Sequence, residues 1–118
     1  MNANDYQELA GRTLIDGPDF EITDDQVMLS WNALGLAGEA GEVADLIKKQ
    51  VYHQHGVDPE AIKKELGDVL WYVAALCSNL DLTMEEVMQH NIDKLRARFP
   101  EGYEASRTTA EHKVGLAA

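Results

Sequence analysis

Cysteine is nearly missing from this sequence: Cys77 is the only one in 118 residues. No internal disulfide can form, and a thiol set inside an apolar run reads as a buried packing residue. Proline is scarce, at three residues, and no low-complexity run occurs, which excludes a linker-like chain. Aromatics make up only 7%. No apolar stretch, Val69–Cys77 included, approaches the roughly twenty residues that a membrane-spanning helix needs. The start, Met1-Asn2-Ala3-Asn4-Asp5, has neither the basic residues nor the apolar core of a signal peptide. These absences predict a soluble cytoplasmic protein of one domain.

Positive charge is also short. Ten Lys and Arg face twenty-one Asp and Glu, for a formal charge of −11. Such a surface repels phosphate backbones and anionic lipid, so nucleic-acid and membrane-surface functions are set aside. Excess carboxylate is usually a solvated face, but it can also mark a divalent-cation site, and the positions of the acids decide.

What is present is helical periodicity, with no β-branched alternation, so the predicted class is all-α. A first helix is expected from Asn4 to about Leu14, with Tyr6, Leu9 and Ala10 inward, then a turn at Asp16-Gly17-Pro18-Asp19. A second carries one apolar stripe through Leu29, Ala33, Leu36, Ala40, Val43, Ile47 and Val51. Asp58-Pro59 opens a third, striped by Ile62, Leu66, Val69, Val73, Leu76 and Leu80. The capping box Thr83-Met84-Glu85-Glu86 opens a fourth, which Pro100 and Gly102 close. Residues 1–105 form the predicted domain, and 106–118, lacking apolar period, a mobile tail.

Glu39 with Glu42, and Glu65 with Asp68, share the i, i+3 spacing that lets two side chains converge on one point. Counted at about 100° per residue, both pairs lie on the same-handed shoulder of their stripes. In an antiparallel hairpin, same-handed shoulders share one side, so all four carboxylates face one groove. Their heights match if the second helix ends near Gln50 and Val51–Val57 is a loop. Four acids beside an apolar seam repel one another unless a cation sits between them. Oxygen-only donors suit Mg²⁺, with Mn²⁺ as substitute. The bland reading pairs them instead with Lys48, Lys49, Lys63 and Lys64 as ordinary surface acids.

Gly35, Gly38 and Gly41 recur around the first acidic pair, each costing about 1 kcal/mol against Ala in a helix. Close approach of another helix, or of a ligand's phosphates, accounts for them. On the fourth helix Asn91, Lys94 and Arg98 make one ridge suited to a polyphosphate. His53 and His55 diverge at i, i+2 and have no third ligand, which argues against zinc. Ser30, Ser78 and Ser106 lack a His–acid pattern, so covalent catalysis is not expected. Trp31, Trp71 and Tyr72 are expected to pack, with stacking on a base as the lesser reading.

Gly38-Glu39-Ala40-Gly41-Glu42, Lys64-Glu65-Leu66-Gly67-Asp68-Val69-Leu70-Trp71-Tyr72, Asn91-Ile92-Asp93-Lys94-Leu95 and Arg98-Phe99-Pro100-Glu101-Gly102-Tyr103 together resemble the MazG-like nucleoside triphosphate pyrophosphohydrolases. The resemblance runs from about Leu34 to Arg107. It implies an all-α fold, assembled as a homodimer or as a homotetramer built of dimers. It implies Mg²⁺ on Glu39, Glu42, Glu65 and Asp68, phosphate binding by Asn91, Lys94 and Arg98, and a substrate contact from Tyr103, where the family often has Phe. The implied reaction splits an NTP or dNTP between its α and β phosphates, giving a nucleoside monophosphate and pyrophosphate, with Glu42 a candidate to take the proton of the attacking water.

Two alternatives stand beside it. One is a related pyrophosphatase for phosphoribosyl-ATP or a damaged nucleotide, and the other a non-catalytic helical oligomerisation module. Leu34 and Leu46 lie off the second helix's stripe and Trp71, Ala74 and Ala75 off the third's, so a second copy is expected to cover them.

Overall fold

A computed structural model describes residues 1–53 and 56–102. Within them the chain forms four helices and no strand: α1 (Ala3–Gly11), α2 (Asp24–Tyr52), α3 (Pro59–Asn79) and α4 (Met84–Arg98). No helix of the described residues is long and apolar enough to cross a membrane.

Local chemistry sets the boundaries. Asn2 and Asp5 cap α1 reciprocally, as Thr23 and Gln26 cap α2 and Thr83 and Glu86 cap α4. The Asp58 side chain accepts from the Glu60 N–H ahead of Pro59, which fits the first turn because its missing N–H would have had no partner there. The second helix runs two residues past Gln50, close to the expected end, and the His53 N–H donates to the Lys49 carbonyl as its cap. After α4, Gly102 takes a φ of +85° and returns its N–H to the Phe99 carbonyl.

The first helix departs from expectation. It stops at Gly11 instead of Leu14, and Tyr6, Leu9 and Ala10 are exposed rather than inward. Their period is helical, but no other described element lies against that face. A period creates an apolar face and does not supply the partner that covers it.

Extensive helix packing among the described residues is confined to α2 and α3, an antiparallel pair. At the connected end buried Gln50 accepts the Asp58 N–H at 2.9 Å. At the other end buried Asn32 donates its amide to the Asn79 Oδ1 at 2.7 Å. Both amides would cost stability if left unpaired, so the two bonds disfavour a sliding of the helices.

Between those ends Leu29, Asn32, Leu36, Glu39, Val43, Leu46 and Gln50 form a buried or half-buried row along α2. They alternate by three and four, the spacing of a coiled-coil seam. Ile62, Glu65, Val69, Tyr72 and Leu76 do the same on α3. The seam is therefore rotated from the apolar stripe read in the sequence. Ala33, Ala40 and Ile47 are exposed, whereas Leu46, Ala74 and Ala75, expected off the stripes for a second copy to cover, are already half-buried.

The hairpin has two unlike broad sides. Counting about 100° per residue from the seam, one side carries Ala40, Ile47 and Val51 of α2 with Leu66 and Leu70 of α3. It is an exposed apolar face, with Leu70 58% accessible. The opposite side carries Glu42, Asp68 and Trp71.

A candidate metal centre on the hairpin

Glu39 and Glu65 are half-buried on the α2–α3 seam, and Asp68 is exposed one turn further along α3. One carboxylate oxygen from each lies within 4.8 Å of the others. Sequence reasoning put both acids of each pair on the shoulder. The structure puts Glu39 and Glu65 in the seam itself and leaves Glu42 and Asp68 exposed. Glu42 stands outside the three-oxygen group, yet its charge still acts on Glu39.

The electrostatics follow from that crowding. Partial withdrawal from water, then the charges of Asp68, Glu65 and Glu42, hold the Glu39 carboxyl above its ordinary value of 4.5. The nearby lysines do not supply the relief. Lys49 binds Asp45 at 2.7 Å and Lys48 binds the same carboxylate at 3.4 Å. That hydrogen bond from Lys49 pulls Asp45 below its usual range and raises Lys49 in turn. Lys63 lies 2.7 Å from Glu60, one helix turn away on the same helix. Among the described residues none of Glu39, Glu65 and Asp68 forms an ion pair with Lys48, Lys49, Lys63 or Lys64, although the Glu42 charge acts on Lys49. Three hard oxygens this close, on acids of which two are half-buried, could close on a small divalent cation.

Beside the acids runs a cleft lined by Glu39, Asp68, Trp71 and Tyr72. The Trp71 and Tyr72 rings meet edge to face, 5.0 Å between centroids and 82° between planes. Tyr72 leans across the seam onto Gly35, where a Cβ would overlap its ring. That accounts for one of the three glycines. Gly38 and Gly41 have nothing within 4 Å of a notional Cβ, so no close helix approach explains them among the described residues.

The Asn91–Lys94–Arg98 ridge is present on α4, with the Arg98 guanidinium 5.6 Å from the Phe99 ring centroid. The structure does not bring that ridge to the acids. α4 is tied to the hairpin near its own start, where the Leu82 N–H donates to the Cys77 carbonyl and buried Cys77 touches Met84 at 3.8 Å. Lys94 borders a separate cleft with Glu86, His90 and Asn91. Tyr103, His55 and the proposed tail 106–118 lie outside the described residues.

Sequence reasoning missed the buried amides Asn32 and Gln50, and it took Trp31 and Trp71 as packing residues although they are 66% and 62% exposed. The three-and-four alternation through Asn32, Glu39 and Gln50 was the available signal. It is hidden if polar residues are assumed to lie outside a seam.

Comparison with known proteins gives concordant results. Residues 29–103 match the model of the MazG nucleotide pyrophosphohydrolase domain. The "Gene 37 protein" of Mycobacterium phage L5 is 39% identical over 106 residues, spanning 86% of this chain and 92% of that protein. No solved structure matches significantly.

Proposed function

The chain belongs to the MazG nucleotide pyrophosphohydrolase family, and we propose that it is a metal-dependent hydrolase that cleaves a nucleoside triphosphate, preferentially a deoxynucleoside triphosphate, between the α and β phosphates. The observation that carries this reading is the convergence of Glu39, Glu65 and Asp68 while Lys48, Lys49 and Lys63 are engaged elsewhere. Acids held together without a neutralising side chain call for a cation, and a triphosphate is the substrate class that shares one.

In this reading Glu39, Glu42, Glu65 and Asp68 hold Mg²⁺ or Mn²⁺. The bound ion would offset triphosphate charge and activate the attacking water. Glu42, exposed and outside the three-oxygen group, takes the proton of that water. Asn91, Lys94 and Arg98 bind the departing pyrophosphate. Tyr103 is proposed as a further substrate contact.

Assembly belongs to the same proposal. The face of Ile47, Val51, Leu66 and Leu70 is too apolar to be left to water, and a second hairpin packed on it makes a four-helix core. Dimerisation also offers a route by which an α4 ridge reaches an acidic groove. A second pairing of dimers would give a tetramer.

The deciding experiment is a panel of NTPs and dNTPs with Mg²⁺ or Mn²⁺, resolving pyrophosphate from orthophosphate. We expect a nucleoside monophosphate and pyrophosphate from at least one deoxynucleotide. Orthophosphate and a diphosphate as first products, or no turnover of any triphosphate, refutes the proposal.

A further inference from the structure

Two clefts of the hairpin adjoin in a way the phosphate chemistry does not use. The first is the acid cleft of Glu39, Asp68, Trp71 and Tyr72. The second, further toward the start of α2, is lined by Val27, Ser30, Trp31, Leu34 and Gly35. They adjoin at Gly35, because the Tyr72 ring that walls the first cleft rests on the glycine that floors the second. Glycine at that point lets ring and helix approach as no other residue would.

Resting on the function proposed above, we infer that Trp31 is the stacking platform for the nucleobase, and so a determinant of substrate affinity. Its position follows from helix geometry. Trp31 precedes Glu39 by eight residues, about 12 Å along α2, which suits an extended nucleotide whose phosphates sit at the acids. Counted from the seam, Trp31 falls on the same side as Glu42, Asp68 and Trp71, and away from the apolar face of Ile47 and Leu70. A second copy covering that apolar face therefore leaves Trp31 open. Trp31 is 66% exposed, and an exposed indole beside the acids offers a flat face on which a base can stack. Trp71 is already engaged with Tyr72, whereas no ring packs against Trp31 among the described residues.

The test compares a nucleotide with a phosphate chain that has no base. Trp31→Ala should raise KM for the best deoxynucleoside triphosphate by about tenfold or more while kcat changes little, as lost base stacking would. The inhibition constant of inorganic tripolyphosphate should stay within twofold of wild type, and Trp31→Phe should restore most of the affinity. In a Trp71→Phe background Trp31 is the only tryptophan of the chain's two. Its fluorescence should then be quenched by the deoxynucleotide and not by tripolyphosphate. A KM within twofold of wild type, an equal loss of tripolyphosphate binding, or a changed sedimentation coefficient in Trp31→Ala overturns the assignment. Each of those leaves the hydrolase reading standing, because wild type would still turn over. If wild type hydrolyses no triphosphate, both fall.

Discussion

Gly35, Gly38 and Gly41 look equivalent in the sequence, yet the structure separates them sharply. Each sits inside α2, where replacing Gly by Ala gains about 1 kcal/mol of helix propensity. At Gly38 and Gly41 the added methyl meets open space, so that gain should appear undiminished in the apo protein. At Gly35 it meets the half-buried Tyr72 ring, which must move. Overpacking of this kind costs about 1–3 kcal/mol, so the net effect at Gly35 runs from neutral to about 2 kcal/mol destabilising. The contrast between Gly35→Ala and Gly38→Ala is then about 1–3 kcal/mol. Equilibrium urea denaturation with a chelator present, at one fixed protomer concentration, measures it. If Gly35→Ala is as stable as Gly38→Ala, Tyr72 does not rest on this glycine and the register described for the hairpin is wrong.

Chelator should abolish hydrolysis and Mg²⁺ or Mn²⁺ restore it; Glu42→Gln and Asp68→Asn should each lose more than tenfold in kcat/KM, about 1.4 kcal/mol, and a smaller loss makes them peripheral. Because partial withdrawal from water, and then the neighbouring carboxylates, raise the folded-state pKa of Glu39, the folded apo protein binds its proton more tightly than the unfolded chain, so this group's contribution to stability falls as pH rises from about 4.5. Glu39→Gln should accordingly be more stable than wild type in chelator at pH 7, equal to it below pH 4.5, and less responsive to added Mg²⁺ in thermal melts. Sedimentation equilibrium at micromolar concentration should find at least a dimer that Leu70→Glu dissociates; a stable, active wild-type monomer would refute the shared core.

Much of the fold is a local matter, which is why it can be read from the chain. The Thr83–Glu86 box, the Asp58-Pro59 start and the closing Gly102 act through groups a few residues apart. They need no distant partner to fix a helix end. The i, i+3 spacing of the acids is equally local, and with a short connection it places them at matching heights. What the sequence by itself determined is therefore the all-α class, the four helices of the described residues, and acids spaced to converge, of which Glu39, Glu65 and Asp68 do.

The tertiary structure decided which side of each helix meets its neighbour. An apolar stripe must be shared between the partner helix and whatever covers the hairpin's outer face. The seam therefore settled to one edge of the stripe, drawing in Glu39, Glu65, Asn32 and Gln50 and leaving Ile47 and Leu66 outside. Trp31 and Trp71 stand in solvent on the acidic side, where composition alone would have buried them. The α4 ridge is not brought to the acids: among the described residues α4 meets the hairpin near its own start, through Leu82, Cys77 and Met84. Periodicity gives a helix a direction of apolarity, but the seam is a compromise among all surfaces competing for that face, and those surfaces exist only once the chain has folded.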